Sequence, residues 1–290
     1  MNKLALGTAQ FGQKYGIANQ ESQLTITEAE EILKFAKNSN IDLIDTAIAY
    51  GDSEKIIGEV GIKDFKFVSK LPDLPKNCSD VNYWVEEMVQ SSLVRLGIKS
   101  LYGLLVHKTE NLLGESGREL IQALNIVKQN GLVKKIGISI YDPSECEQVI
   151  NLTRIDIVQA PLNIIDRRLV TSGWLSRLYS EEIEIHSRSV FLQGLLLMPR
   201  KNIPKIFEKW SMLLDQWSIS LKKNNLSAIE VCLMYPWSLK EIDRVIVGVD
   251  NVLQLDDIVK KSKFNQSEVD WNFMISKDQM LINPTNWKKL

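Results

Sequence analysis

Eight short apolar or β-branched runs, separated by amphipathic stretches and spread along nearly all of a 290-residue chain, limit the fold more than any other feature of this sequence. The runs fall at 4–6, 43–47, 65–70, 101–107, 135–140, 155–162, 184–191 and 244–249. Between them, 27–40, 81–96, 117–130 and 143–152 carry apolar residues at helical spacing, with Thr25, Thr27, Ser79 or Asp142 available as caps. Alternating strand and helix units of this number predict one closed (β/α)8 barrel domain over 1–290, with parallel strands inside and helices outside. A doubly wound sheet is the rival, but the Gly-rich G-x-G-x-x-G turn that would follow its first strand is absent. Extra helical segments at 203–222 and 227–237 should lie outside the barrel or over its mouth. The tail beyond Lys263 adds Trp271 and Trp287.

A net charge of -1 argues against a nucleic-acid or anionic-membrane partner, either of which favours a basic surface, and leaves a small molecule as the expected ligand. Cys78, Cys146 and Cys232 are odd in number and widely spaced, with no metal-ligand pairing among them. That usage suits a reducing compartment, and no metal site is expected. The amino terminus reaches Gly7 before a signal-peptide core could form, and no apolar run is long enough to span a bilayer. The expected location is cytoplasmic.

Polar residues close several of the apolar runs. Asp45 ends the second, Lys70 the third and His107 the fourth, while Tyr50 follows Asp45 within Asp45-Thr46-Ala47-Ile48-Ala49-Tyr50-Gly51. In a parallel barrel these strands are neighbours, and sites form at their carboxyl ends, so the four side chains should converge. A tyrosine titrates ordinarily near ~10, and a nearby cation is needed to favour its phenolate. Lys70 could supply that charge and Asp45 could hold the lysine. Tyr50 is then the expected general acid toward a carbonyl oxygen, with His107 hydrogen-bonding the same oxygen.

At these residues the chain resembles the aldo-keto reductase family. The likeness rests on Leu6-Gly7-Thr8, the Asp45–Gly51 motif, Lys70, His107, Gly137-Ile138-Ser139, Val158-Gln159 and Phe191-Leu192-Gln193-Gly194-Leu195-Leu196, in family order. It implies NAD(P)H-dependent reduction of an aldehyde or ketone. It also implies a tetrad of Asp45, Tyr50, Lys70 and His107, with Gly7 and Thr8 beside the cofactor. Ser139 and Gln159 would contact the nicotinamide carboxamide, and 189–195, with Ser189, Phe191, Gln193 and Gly194, would hold the pyrophosphate. Several positions depart from the family pattern. Ile140 stands where an asparagine is common, leaving Asn163 as a substitute amide. Arg188 stands where an aromatic residue often meets the nicotinamide ring, and its planar cation could favour an anionic substrate. Gly248, Asp250 and Gln254 occupy the region that meets the adenosine ribose; Asp250 there would repel a 2'-phosphate and accept from free ribose hydroxyls, so NADH should serve at least as readily as NADPH. The hairpin usually found ahead of the first strand is missing, which concerns the barrel floor.

Taken singly, Asp45 reads as a strand-end cap or ion-pair partner, Tyr50 as a turn aromatic, and Lys70 as a snorkelling strand-end lysine. Only the joint pattern favours catalysis. His186 reads as structural, and Lys260-Lys261 as a solvated helix face. Arg167, Arg168 and Arg188 form a possible carboxylate or phosphate clamp, with surface ion pairs as the plainer reading of the first two. Trp271 and Phe273 could line a substrate pocket or pack on outer helices. Besides carbonyl reduction, the sequence allows a cofactor-retaining epimerase or lyase, and a slow cofactor-binding regulatory subunit.

Overall fold

The predicted alternation folds into a barrel because each strand run has one face for the lumen and one for the surrounding helices. The computed structural model describes residues 2–19, 23–263 and 269–290, and in it β1 (Leu4–Gly7), β2 (Leu43–Asp45), β3 (Lys66–Leu71), β4 (Leu101–Val106), β5 (Val133–Ser139), β6 (Ile157–Pro161), β7 (Glu184–Arg188) and β8 (Arg244–Gly248) close in sequence order. Every pairing is parallel, and the last strand returns to the first with Gly7 beside Gly248. Ala5, Leu43, Val68, Leu105, Ile157 and Ile246 fill the lumen as one cluster, so the barrel is packed and not a pore. Burying each larger aliphatic side chain contributes about 1.5–3 kcal/mol. The other strand faces join the helices in a second, larger core.

Local chemistry sets the helix ends. Thr25 accepts from the Glu28 amide while the Glu28 carboxylate accepts from Thr25, a capping box that starts the helix Ile26–Asn38. The helix Val81–Leu96 occupies the expected span, but Asp80, not Ser79, caps it by accepting from the Tyr83 amide at 2.9 Å. The carboxylate one residue later is the group that reaches the open amide. Strands β2 and β7 are shorter than expected. After Asp45 the chain bends toward Tyr50, and after Arg188 the left-handed Ser189 (φ 59°) breaks the extended backbone.

The late insertion forms Lys205–Trp210, Ser211–Lys223 and Ala228–Ser238. The tail packs on it: Trp271 meets Trp217 edge to face at 5.3 Å, and Trp287 meets Phe207 at 4.9 Å. Trp271 and Phe273 therefore belong to outer packing, with their rings 5.9 Å apart. Among the described residues no helix is long and apolar enough to cross a membrane, and no His, Cys, Asp and Glu group could hold a metal ion.

Candidate active site

Two glycines shape the bend that carries Tyr50. A Cβ on Gly12 would fall 1.6 Å from the Tyr50 carbonyl oxygen, and Gly51, itself at φ 53°, would clash with the Gly12 carbonyl at 2.3 Å. The backbones of the first and second strand–helix loops touch there, and only bare glycine permits it. Ser53 ties the same corner by donating to the Thr8 carbonyl at 2.9 Å, while Thr8 Oγ1 donates to the Asp45 carbonyl at 3.0 Å. Thr8 is thus committed to the scaffold although it borders the cavity described below.

Strand register then brings Asp45, Tyr50, Lys70 and His107 together. Lys70, 1% exposed, donates to both Asp45 carboxylate oxygens at 2.9 and 2.8 Å and to the Thr46 carbonyl at 2.7 Å. Its ammonium stands 5.1 Å from the centroid of the Tyr50 ring. His107 meets that ring edge-on at 6.1 Å. Gln159 donates its amide to Asp45 Oδ1 at 2.6 Å, so the carboxylate is held from two sides.

The electrostatics of this cluster differ from the sequence expectation in one respect. Burial raises the Tyr50 pKa, the Asp45 charge raises it further, and Arg188 is the cation that lowers it. Lys70 was expected to tune the phenol downward, but its charge is met at contact by Asp45. Tyr50 is therefore a fully protonated phenol at neutral pH. Burial, followed by the Lys70 and Arg188 charges, lowers the His107 pKa to about 4, so this ring is neutral above mildly acidic pH. Burial also lowers the Lys70 pKa, with Asp45 opposing.

A cavity of about 440 Å³ opens at this rim. Asp45, Tyr50, Gln159 and Arg188 border one part of it, Ser189, Phe191, Gln193 and Gly194 one wall, and Gly248, Asp250, Gln254 and Asp257 another, with Gly7 and Thr8 also on its surface. Its volume lies within the range of small-molecule and cofactor sites. Ser189, Leu192 and Gln193 have positive φ, backbone strain of a kind that gathers at ligand sites. Gln254 accepts from the Asp250 amide at 2.8 Å, which fixes the Asp250 backbone at the cavity edge. Ser139 pairs in register with Gln159 but is buried, and it, Lys70 and His107 do not border the cavity.

Some expected ligand contacts are spent internally. Asn163 accepts from the Ile165 and Asp166 amides and donates to the Ser189 carbonyl at 3.0 Å, so it braces the loop and offers no free amide. Arg167 stacks on Tyr235 at 4.4 Å and donates to the Trp271 carbonyl. Arg168 pairs with Asp166 and Asp142, both at 2.8 Å. Neither forms a ligand clamp; Arg188 alone of the three borders the cavity. Sequence reasoning missed the loop carrying Gln10, Tyr15, Gly16 and Ala18, which also lines it. The positive φ of Gly16 (92°) is a feature its glycine could have signalled.

Comparison with known proteins gives the same architecture a family. The sequence model described as the Aldo/keto reductase family matches residues 3–278. The uncharacterized oxidoreductase YqkF of Bacillus subtilis is 25% identical over 294 residues, spanning 90% of each chain. The NADH-specific methylglyoxal reductase of Escherichia coli is 26% identical over 278 residues, covering 82% of this chain and 84% of that protein. Among solved structures, a holo-form aldo-keto reductase from Bacillus halodurans superposes with a TM-score of 0.74 at 18% identity, over 91% of this chain and 88% of that one. A glycerol dehydrogenase from Gluconobacter oxydans gives 0.69 at 20% identity, over 93% and 88%. The structural likenesses carry the barrel fold, and the sequence match, running over nearly the whole of it, makes this oxidoreductase a member of the aldo/keto reductase family, whose enzymes use NAD(P)H.

Proposed function

We propose that this protein reduces a small aldehyde or ketone with NADH. The observation that carries the reading is the polarity of the cavity from end to end: Tyr50 over the Asp45–Lys70 pair at one end, and the carboxylates of Asp250 and Asp257 at the other. Two carboxylates disfavour a 2'-phosphate and offer acceptors to free ribose hydroxyls. Asp257 is paired with Lys261 at 3.1 Å, so Asp250 carries the larger part of that effect. The E. coli relative, whose name specifies NADH and methylglyoxal, supports the same choice and makes methylglyoxal the first carbonyl to assay.

Bound in this cavity, the reduced nicotinamide supplies hydride to the carbonyl carbon. Tyr50 donates its phenolic proton to the carbonyl oxygen as negative charge develops there. A phenol with a raised pKa keeps that proton until the oxygen becomes basic enough to take it. Arg188, the cation that lowers the Tyr50 pKa, favours the phenolate left behind, while Lys70, 5.1 Å from the ring, is fixed by Asp45 and the Thr46 carbonyl and offsets the Asp45 charge beside it. Neutral His107, edge-on to the Tyr50 ring at 6.1 Å, packs against the phenol and is not the proton source. Gln159, its amide nitrogen engaged with Asp45, has a carbonyl oxygen available to accept from the carboxamide, and Gly7, Ser189, Phe191, Gln193, Gly194, Gly248 and Gln254 flank the remainder of the dinucleotide.

Titration of the cofactor-free protein with NADH and NADPH, followed by nicotinamide fluorescence, tests the proposal together with an assay of NADH-driven methylglyoxal reduction. NADH should bind at least as tightly as NADPH and support turnover. A preference for NADPH above about tenfold, roughly 1.4 kcal/mol, would overturn the cofactor assignment.

A further inference from the structure

Two cations stand at the catalytic rim, and only one is neutralised. Lys70 contacts both oxygens of Asp45. Arg188 stacks on Tyr141 at 4.4 Å, donates to the Ile140 carbonyl at 2.8 Å and reaches Ser189 Oγ at 3.3 Å. All its partners are uncharged: among the described residues no carboxylate forms an ion pair with it. It borders the same cavity as Tyr50, and its charge acts on Tyr50, His107, Lys70 and Tyr15 alike.

Resting on the nicotinamide reading above, we infer that Arg188 is a redox-state selector, a fixed positive charge that makes the site bind NADH in preference to NAD+. Hydride transfer to a carbonyl whose oxygen meets Tyr50 requires the nicotinamide ring to lie beside Tyr50, and therefore close to Arg188. That ring is neutral in NADH and carries a positive charge in NAD+. Two like charges this close repel, strongly so where the wall excludes water. The adenosine and pyrophosphate are identical in the two forms, so their contacts cancel in the ratio of affinities, leaving the charge of the ring. A tenfold preference for the reduced form corresponds to a rise of about 30 mV in the reduction potential of the bound couple. The consequence for turnover is directional. Bound cofactor is then mostly NADH until NAD+ exceeds it by more than that affinity ratio, about tenfold.

The test is a pair of titrations, NADH by fluorescence and NAD+ by calorimetry, on the wild type, Arg188→Met and Arg188→Lys, each checked for folding by thermal melting. The wild type should favour NADH about tenfold or more. Arg188→Met, which keeps length and loses charge, should narrow that ratio at least fivefold, and Arg188→Lys should retain most of it. If the methionine variant does not fold, Arg188→Gln serves the same comparison. An unchanged ratio on neutralising Arg188 overturns the inference and leaves the NADH reading intact. Failure of the wild type to bind either form overturns both.

Discussion

At the floor of the barrel, where the strands begin, Lys66 and Arg244 both reach Asp42, at 2.9 and 2.6 Å. Beside them Tyr102 at 2.7 Å, His186 at 2.8 Å and Lys135 all converge on Glu184. At the rim, where the strands end, the Asp45–Lys70 pair sits against an aromatic ring, and Arg188 has no carboxylate partner among the described residues. Both ends are ionic, and they differ in closure. The floor satisfies its charges with one another: burial alone would raise the Glu184 pKa, but hydrogen bonds from His186, Lys135 and Tyr102 draw it down to about 2. At the rim, burial shifts Tyr50 upward and His107 downward, with the Asp45 charge adding to the first and the Lys70 and Arg188 charges to the second, and Tyr50 faces a cavity. A closed network is an argument for stability, and an open, imbalanced one is an argument for chemistry.

Substitution at each end should separate these roles. The largest effect belongs to Lys70→Met, which strands the Asp45 carboxylate in a buried site. It should cost about 3–5 kcal/mol of stability, read by denaturant unfolding, and slow carbonyl reduction by at least about a hundredfold. At the floor, Glu184→Gln should cost about 2 kcal/mol through weakened charged hydrogen bonds while leaving turnover within about twofold of wild type. Loss of activity on that scale without loss of stability would erase the contrast between the ends.

The pH dependence sharpens it. His107 has a pKa of about 4 in the folded protein against an ordinary 6.5, so the unfolded chain takes up the proton first. Its contribution to stability is therefore full above 6.5 and is lost as pH falls toward 4. His107→Gln should flatten the stability profile across that window, measured by melting temperature against pH. Glu184 gives the same sign lower down, full above 4.5 and lost as pH falls toward 2. The smallest effect is expected from Asp250→Ser, which should improve NADPH binding relative to NADH by about tenfold or less, as it leaves Asp257 in place.

The barrel was legible because its information is periodic. Alternating runs locate eight strands, and sequential parallel order follows from the short distances between them. The convergence of Asp45, Tyr50, Lys70 and His107 was legible for the same reason, since each sits at or just beyond a strand end. What a side chain does once there was less so. Asn163, Arg167 and Arg168 have the right chemistry for a ligand, yet their donors and acceptors are taken by loop amides, carbonyls and carboxylates distant in sequence. The Tyr50 environment was misjudged likewise. Sequence shows that a lysine is near, but not that Asp45 has already met its charge. His186, read as structural, hydrogen-bonds Glu184 at 2.8 Å.

Tyr50's proposed role is to transfer the proton and not to hold the cofactor. It is tested most directly by measuring NADH affinity and single-turnover reduction of methylglyoxal in Tyr50→Phe beside the wild type. In the phenylalanine variant NADH should bind within about threefold of wild type, and the rate should fall by at least about a hundredfold. A phenylalanine variant that reduces the carbonyl at the wild-type rate would contradict it.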